Sequence, residues 1–521
     1  MRITAVRPSA GGISFSPVIV AIAGLLWMSG CAHLESRDPF GTASQLPTSA
    51  SGNYVPQSKD LSSRDGYKEQ DISTAADLAA AKGSIPKSFG DQVMTLADCI
   101  RIALETNPKT QSTWEAVRSG AARVGQEKAA YLPEADLEAA ASRQKQITAQ
   151  SIQVEQQAKA VSVFDAGFGV SYLLFDGGQR SARVGGAQAD LQAVGFQHNA
   201  TLQDVALKVA QSYYALLAAR WTQQVAEDSV RNTEYHVRLS MARFENGLVP
   251  RSDVLKAETQ KADADLALVS ARNAIRISEG ALVSAMGIIV STPVSIVDIP
   301  ESTHPRESEE MGQLLEEAMK NRPELLAAVA KVKSKQAAVQ EARSQYWPKI
   351  SAIGAYGWID DSLLLGNNQW AIGLGLSVPL FTGFKRGYQV ERARRDTEQA
   401  RADYDNQLRG VELEVWTAYS KLTETAEAIP AAQIFVASAE ESARLAEGEY
   451  KAGTGNIISL IDAQTALTSA RNRLIQARFA WYTARAQFEK AVGRSLTADG
   501  GLSIPNLGSQ GSRNVQADGR N

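Results

Sequence analysis

Between Gly178 and Asn246 the chain runs for roughly seventy residues without a proline, and its apolar residues recur at helical spacing. Leu202, Val205, Val209, Tyr213 and Leu216 fall 3, 4, 4 and 3 apart, which keeps all five on one stripe of an α-helix. The same five residue types return 206 positions later as Leu408, Val411, Val415, Tyr419 and Leu422, so the long helix is duplicated. At 1.5 Å per residue such a helix is about 100 Å long, too long for one compact core. It must pack sideways against other long helices.

The duplication extends upstream. Glu105-Thr106-Asn107-Pro108 and Tyr131-Leu132-Pro133 return as Lys320-Asn321-Arg322-Pro323 and Tyr346-Trp347-Pro348, offset by 215 at both prolines. Leu174-Phe175 returns as Leu380-Phe381 with the offset of 206, so nine residues are lost between Pro348 and Leu380 relative to the first copy. An insertion or deletion between stretches of constant offset marks a surface loop, here the Gln-rich segment from Gln144 to Gln157.

Around that loop the period switches from 3.6 to two. Trp370, Ile372, Leu374, Leu376, Val378 and Leu380 alternate with Ala371, Gly373, Gly375, Ser377 and Pro379. Phe164, Ala166, Phe168, Val170, Tyr172 and Leu174 do the same in the first copy. The partner strands, near 135–141 and 350–358, alternate more weakly, with Tyr356 and Trp358 suited to an interfacial aromatic belt. Alternation of this length fits a sheet between core and water, or a barrel wall between lipid and a wet lumen; periodicity does not separate the two. In lipid, four strands cannot close a barrel, and open edges leave backbone groups unpaired, so closure would come from other chains.

Each long helix ends at a glycine, Gly247 or Gly453, and a helix resumes near Ser252 and Ile458, continuing to Met286 and Val492. Pro430 falls inside the second long helix, where a kink or break is expected. The predicted fold class is α+β and internally duplicated, with long antiparallel helices and four strands per chain. The predicted segments are 1–31 signal, 32–91 linker, 92–290 first repeat, 291–308 inter-repeat linker, 309–495 second repeat and 496–521 flexible tail.

Arg2 and Arg7 precede an apolar run from Ile13 to Trp27, closed by Ser29-Gly30-Cys31, which predicts a secretory signal. Met28-Ser29-Gly30-Cys31 resembles a bacterial lipobox, although Met28 stands where Leu is usual; Cys31 would then be the acylated first residue of the mature chain. An ordinary signal peptide cut nearby is the alternative. Beyond this run no stretch reaches eighteen apolar residues, so the mature chain is expected to carry no transmembrane α-helix.

With 54 Lys and Arg against 57 Asp and Glu, no basic excess supports a nucleic-acid partner. Two cysteines, Cys31 and Cys99, exclude a disulfide framework, and Cys99 reads as a buried apolar residue. His33, His198, His236 and His304 are scattered without metal-ligand spacing, and Gly177-Gly178 and Gly185-Gly186 lack the Lys-Ser/Thr of a phosphate loop. No metal, no cofactor and no catalysis are expected. Glu440, Glu441, Glu447 and Glu449 fit a solvated helix face better than a cation-attracting mouth.

Leu174-Phe175-Asp176-Gly177-Gly178, Arg243-Phe244-Glu245-Asn246-Gly247-Leu248 and Ser252-Asp253-Val254-Leu255 resemble the strand-to-helix junction and the periplasmic helix turn of the TolC-type outer-membrane efflux and secretion channels. The resemblance covers residues 92–495. It implies a homotrimer with a twelve-stranded barrel in outer-membrane lipid and a helical tunnel in the periplasm, docked to a periplasmic adaptor and an inner-membrane transporter of RND or ABC type. It places Gly247, Leu248, Gly453 and Thr454 at the adaptor contact and Asp253 at the periplasmic gate, stabilisation of a helix N-terminus being the alternative for Asp253; Ser459 stands at the matching place in the second copy, so an acidic pair is absent. A soluble or surface-anchored coiled-coil scaffold is the rival reading.

Overall fold

The computed structural model describes residues 93–145, 160–298, 310–361 and 366–494. Cys31, the expected signal and linker, His33, His304 and most of the Gln-rich loop lie outside these residues. The first copy runs β1 (Val93–Met94), α1 (Leu96–Thr106), α2 (Pro108–Ala129), β2 (Glu134–Lys145), β3 (Ala160–Phe175), α3 (Gln179–Glu245) and α4 (Arg251–Ala285). After β4 (Ser295–Ile296) the second copy follows as α5 (Met311–Asn321), α6 (Pro323–Ser344), β5 (Lys349–Asp360), β6 (Asn368–Ser377), α7 (Lys385–Ala452) and α8 (Ile457–Val492).

Two helices precede each hairpin. Proline disfavours helical backbone in the residue before it, and Asn107 (ψ 126°) and Arg322 (ψ 116°) are extended accordingly. The break is stitched down in both copies. Asn107 donates its side-chain amide to the Ala285 carbonyl (2.9 Å), and Arg322 reaches the Ala491 carbonyl (3.2 Å) and the Glu414 carboxylate (2.7 Å). Thr95 opens α1 with a capping box, its hydroxyl accepting from the Asp98 amide while Asp98 accepts from the Thr95 amide. The parallel β1–β4 bridge, two residues a side, has no sequence signal of its own and ties the start of the first copy to the end of α4's following turn.

The duplicated stripe is the core. Val205, Val209, Tyr213 and Leu216 are buried with α1 and the end of α4, and the Tyr213 hydroxyl donates to the Val297 carbonyl (2.7 Å). Val411, Val415 and Leu422 are buried against α5 and α8. Tyr214 of the first copy stacks on Tyr482 of the second (5.3 Å), which joins the two clusters. Along their length α3 packs on α4, α2, α6 and α8, and α7 packs on α8 and α6. Arg183–Glu341 (2.6 Å) and Asp190–Lys331 (3.0 Å) pair α3 with α6.

Of the kink or break expected at Pro430, the break does not occur: α7 runs continuously from Lys385 to Ala452. The proline is exposed, while Leu422, Thr425 and Ile429 beside it are buried and hold the helix in place.

Candidate functional site: an open sheet and two helix tips

Strands β2, β3, β5 and β6 form one antiparallel sheet in that order. Its register lines up Leu137, Phe168, Tyr356 and Trp370 across all four strands. Because side chains alternate faces along a strand, this row and the rows two residues away share a face. That face carries Ile372, Leu374 and Leu376 as well, all exposed, Ile372 to 83%. The opposite face receives the rows Asp136–Gly169–Ala355–Ala371 and Glu138–Gly167–Gly357–Gln369. An exposed face with an apolar band along its middle, and Arg143, Asp360 and Asn368 only towards its loop end, backed by a face rich in small and polar residues, is the arrangement of a lipid-facing wall. Strands β2 and β6 are the edges of the sheet in this chain.

At the foot of the sheet both long helices start on left-handed backbone, Gly178 at φ 86° and Phe384 at φ 64°. Asp176 accepts from the Arg180 amide and guanidinium (both 2.9 Å), and Arg180 lies over the Tyr131 ring (4.8 Å). The second copy repeats the clamp in weaker form, with Thr382 in place of Asp176 and Arg386 over Tyr346 (5.0 Å). Burial pushes the Asp176 carboxyl up, but the Arg180 hydrogen bonds and charge outweigh it and hold the group below its ordinary value.

The far ends of the long helices meet each other. Gly247 (φ 70°) and Gly453 (φ 83°) supply the left-handed residue of each turn. Leu248 and Thr454 donate their amides back to the carbonyls of Arg243 (2.8 Å) and Glu449 (3.0 Å), so the two turns are built alike. Gly247, Leu248, Gly453 and Thr454 are all exposed. They form two neighbouring turns and not a pocket.

Two residues that the sequence reading did not assign tie these turns together. The Arg243 guanidinium donates to the carbonyls of Tyr450 and Lys451 and lies over the Tyr450 ring (4.8 Å). Tyr450 is buried with Leu239, Ile457 and Leu460. The available signal was the mismatch at aligned positions: Arg243-Phe244 in one copy, Glu449-Tyr450 in the other. Asp253 sits in the first turn of α4, half-buried, and after burial its charge is the next influence raising the Tyr450 phenol. The helix starts differ. Asn456 caps α8 by accepting from the Ser459 amide (2.9 Å), whereas α4 begins at Pro250 without a side-chain cap.

The remaining candidates settle individually. Cys99 is fully buried, and burial raises its thiol to about 12. His198 shares a hydrogen bond with Thr113 (2.7 Å), and His236 is buried on α3, within electrostatic reach of Glu447 and Lys451, where burial lowers its pKa. Glu440, Glu441 and Glu447 pair with Arg471, Arg444 and Lys451, as a solvated and ion-paired helix face does. Among the described residues no helix is long and apolar enough to cross a membrane, a limit that leaves strands untouched.

Known proteins of this architecture agree. The family model described as outer membrane efflux protein matches residues 99–288 and 314–494. Protein CyaE of Bordetella pertussis is 27% identical over 385 residues, spanning 73% of this chain and 80% of the relative. Outer membrane protein TolC of Vibrio cholerae is 24% identical over 80% of this chain and 94% of its own length. Among solved structures, the outer membrane protein VceC of Vibrio cholerae superposes with a TM-score of 0.67 at 20% identity, covering 78% of this chain and 97% of that one. The chain therefore belongs to the outer membrane efflux protein family: it is an outer-membrane channel with a helical tunnel in the periplasm, of the type used in efflux and type I secretion.

Proposed function

We propose that three copies of this chain close a twelve-stranded barrel and act as a passive duct, carrying substrates that an inner-membrane transporter of RND or ABC type hands over through a periplasmic adaptor. The observation that carries the reading is the row Leu137, Phe168, Tyr356 and Trp370, an exposed apolar band on a sheet whose two edges end in this chain. Water on that face would leave several large side chains solvated at about 25 cal/mol per Å² each, and a bare edge in lipid costs several kcal/mol per unpaired group. A closed wall in lipid removes both costs.

In this proposal the adaptor docks on the exposed turns at Gly247, Leu248, Gly453 and Thr454. Asp253, beside the Arg243–Tyr450 contact, belongs to the contacts that loosen when the tunnel opens. Cys31 anchors the mature chain in the outer membrane through its acyl groups, and the duct performs no chemistry of its own. Purified mature chain is expected to run as a trimer in detergent and to raise the conductance of planar bilayers. A water-soluble monomer that leaves bilayers non-conducting would refute the proposal.

A further inference from the structure

The two hairpins have the same register under the two sequence offsets. Leu137 faces Phe168 in the first, and Ala352 faces Leu374 in the second; Ala141–Phe164 and Tyr356–Trp370 agree in the same way. The joint between the copies inside one chain is therefore a template for any joint between chains. In that template β3 meets β5 with Gly167 opposite Gly357 and Ser171 opposite Ile353. Trp347 of the second copy lies on Gly177, so closely that a Cβ there would stand 2.3 Å from the Trp347 Cβ.

The second copy lacks the corresponding neighbour. A Cβ on Gly383, the counterpart of Gly177, would meet nothing within 4 Å. Leu380 and Phe381 are 89% and 75% exposed, whereas their counterparts Leu174 and Phe175 are 47% and 41% exposed. Helix α3 is flanked by α2 and α6, but α7 has only α6 of that pair. Phe384 sits in left-handed backbone that non-glycine residues avoid, is 74% exposed, and among the described residues has Phe381 as its aromatic partner. A strained, exposed aromatic at a bare edge points to something that covers it.

We propose that β2 of a second copy of this chain pairs with β6 in the template's register. Gly373 then lies opposite Ser142 of the partner subunit, Ser377 opposite Glu138 of the partner subunit, and Leu132 of the partner subunit, the counterpart of Trp347, covers Gly383 and Phe384. This register rests on the closed-barrel reading above and adds to it which residues meet. It fits the free surfaces on both sides, since Leu132 and residues 134–143 of β2 are themselves exposed in the chain.

Cysteine pairs on the small-residue face test the register in the full chain purified in detergent. The in-register pairs are Ser142→Cys with Gly373→Cys, and Glu138→Cys with Ser377→Cys. The recombined pair, Ser142→Cys with Ser377→Cys, is offset by four residues, about 13 Å at the rise of a strand. Disulfides need Cα atoms roughly 4.4–6.8 Å apart. After mild oxidation, both in-register pairs are expected to move most of the protein to covalent oligomer bands on non-reducing gels, with the recombined pair at the level of the single-cysteine variants. An oligomer in which the recombined pair links and the in-register pairs do not, or in which none links, overturns the register and leaves the barrel standing. A monomer with no link in any variant overturns both.

Discussion

The guanidinium of Arg243, in the last turn of α3, lies over the ring of Tyr450, in the last turn of α7, and donates to the carbonyl of the same residue. One side chain thus cross-links the two tips, adding a second donor to the Tyr450 carbonyl, which already accepts from the Gly453 amide, and reaching the Lys451 carbonyl at the end of α7. Charge-assisted hydrogen bonds of this kind contribute about 1.5–3 kcal/mol. Arg243→Ala is expected to speed amide exchange about tenfold or more in both turns, around Gly247 and Gly453, while the strands keep their protection. Arg243→Lys, which keeps the charge but loses the flat stacking surface and the fork, should fall between. In bilayers the alanine variant should pass a larger resting current. Unchanged exchange at the tips would show that the contact does not hold them.

The Asp176–Arg180 pair makes the strand-to-helix junction sensitive to acid. Both side chains are buried, and the carboxyl is held below the value it has in an unfolded chain. Its contribution is therefore complete at pH above the ordinary carboxylate value of about 4 and disappears as pH falls through the lower folded value. Asp176→Asn leaves the buried Arg180 charge unpaired and should cost about 3 kcal/mol at neutral pH. The gap in stability between the two proteins should narrow as the solution is made acid. Thermal unfolding of both, followed by helical circular dichroism across pH, measures it; a gap independent of pH would mean that the pair does not stabilise the junction through its charge.

Much of this architecture was legible because long helices and lipid-facing strands leave strong periodic signals. The stripe from Leu202 to Leu216 and its repeat from Leu408 to Leu422 marked both long helices, and the alternation from Trp370 to Leu376 marked the exposed face of β6. What escaped depended on single side chains crossing between copies. Arg243 reaches the other tip over 207 positions, a contact that no local pattern encodes. The breaks at Asn107 and Arg322 were hidden because helical periodicity continues on both sides of each proline. At Pro430 the sequence left a kink and a break open, and packing on either side of it keeps α7 continuous.

Gly177 and Gly383 have the same backbone conformation, φ 65° and 61°, in different surroundings. Alanine costs about 1–2 kcal/mol at either through the left-handed backbone alone. At Gly177 the added Cβ also collides with the Cβ and ring of Trp347, atoms fixed close to the backbone, so a further 1–3 kcal/mol of overpacking is expected. Gly177→Ala should therefore lower the melting temperature of the chain more than Gly383→Ala does, when both are measured in a detergent harsh enough to dissociate the trimer into monomers. Equal shifts would indicate that Trp347 moves aside freely and that the junction is looser than its contacts imply.

Phe384 offers a substitution whose two effects have opposite sign. Glycine occupies the matching position, Gly178, in the first copy, and its backbone is left-handed there too. Phe384→Gly removes the cost of that conformation, about 1–2 kcal/mol, and removes a ring that, among the described residues, meets Phe381 as its one aromatic partner. Within an isolated chain the variant should be as stable as the parent or more so. If the ring is seated against a neighbouring copy, the assembled protein should behave in the reverse way, because burial of a Phe side chain contributes about 1.5–3 kcal/mol. The expected result is a trimer that dissociates at lower detergent or temperature stress, built from chains whose own helices melt no earlier. A variant that strengthens both chain and trimer would mean that Phe384 faces no partner.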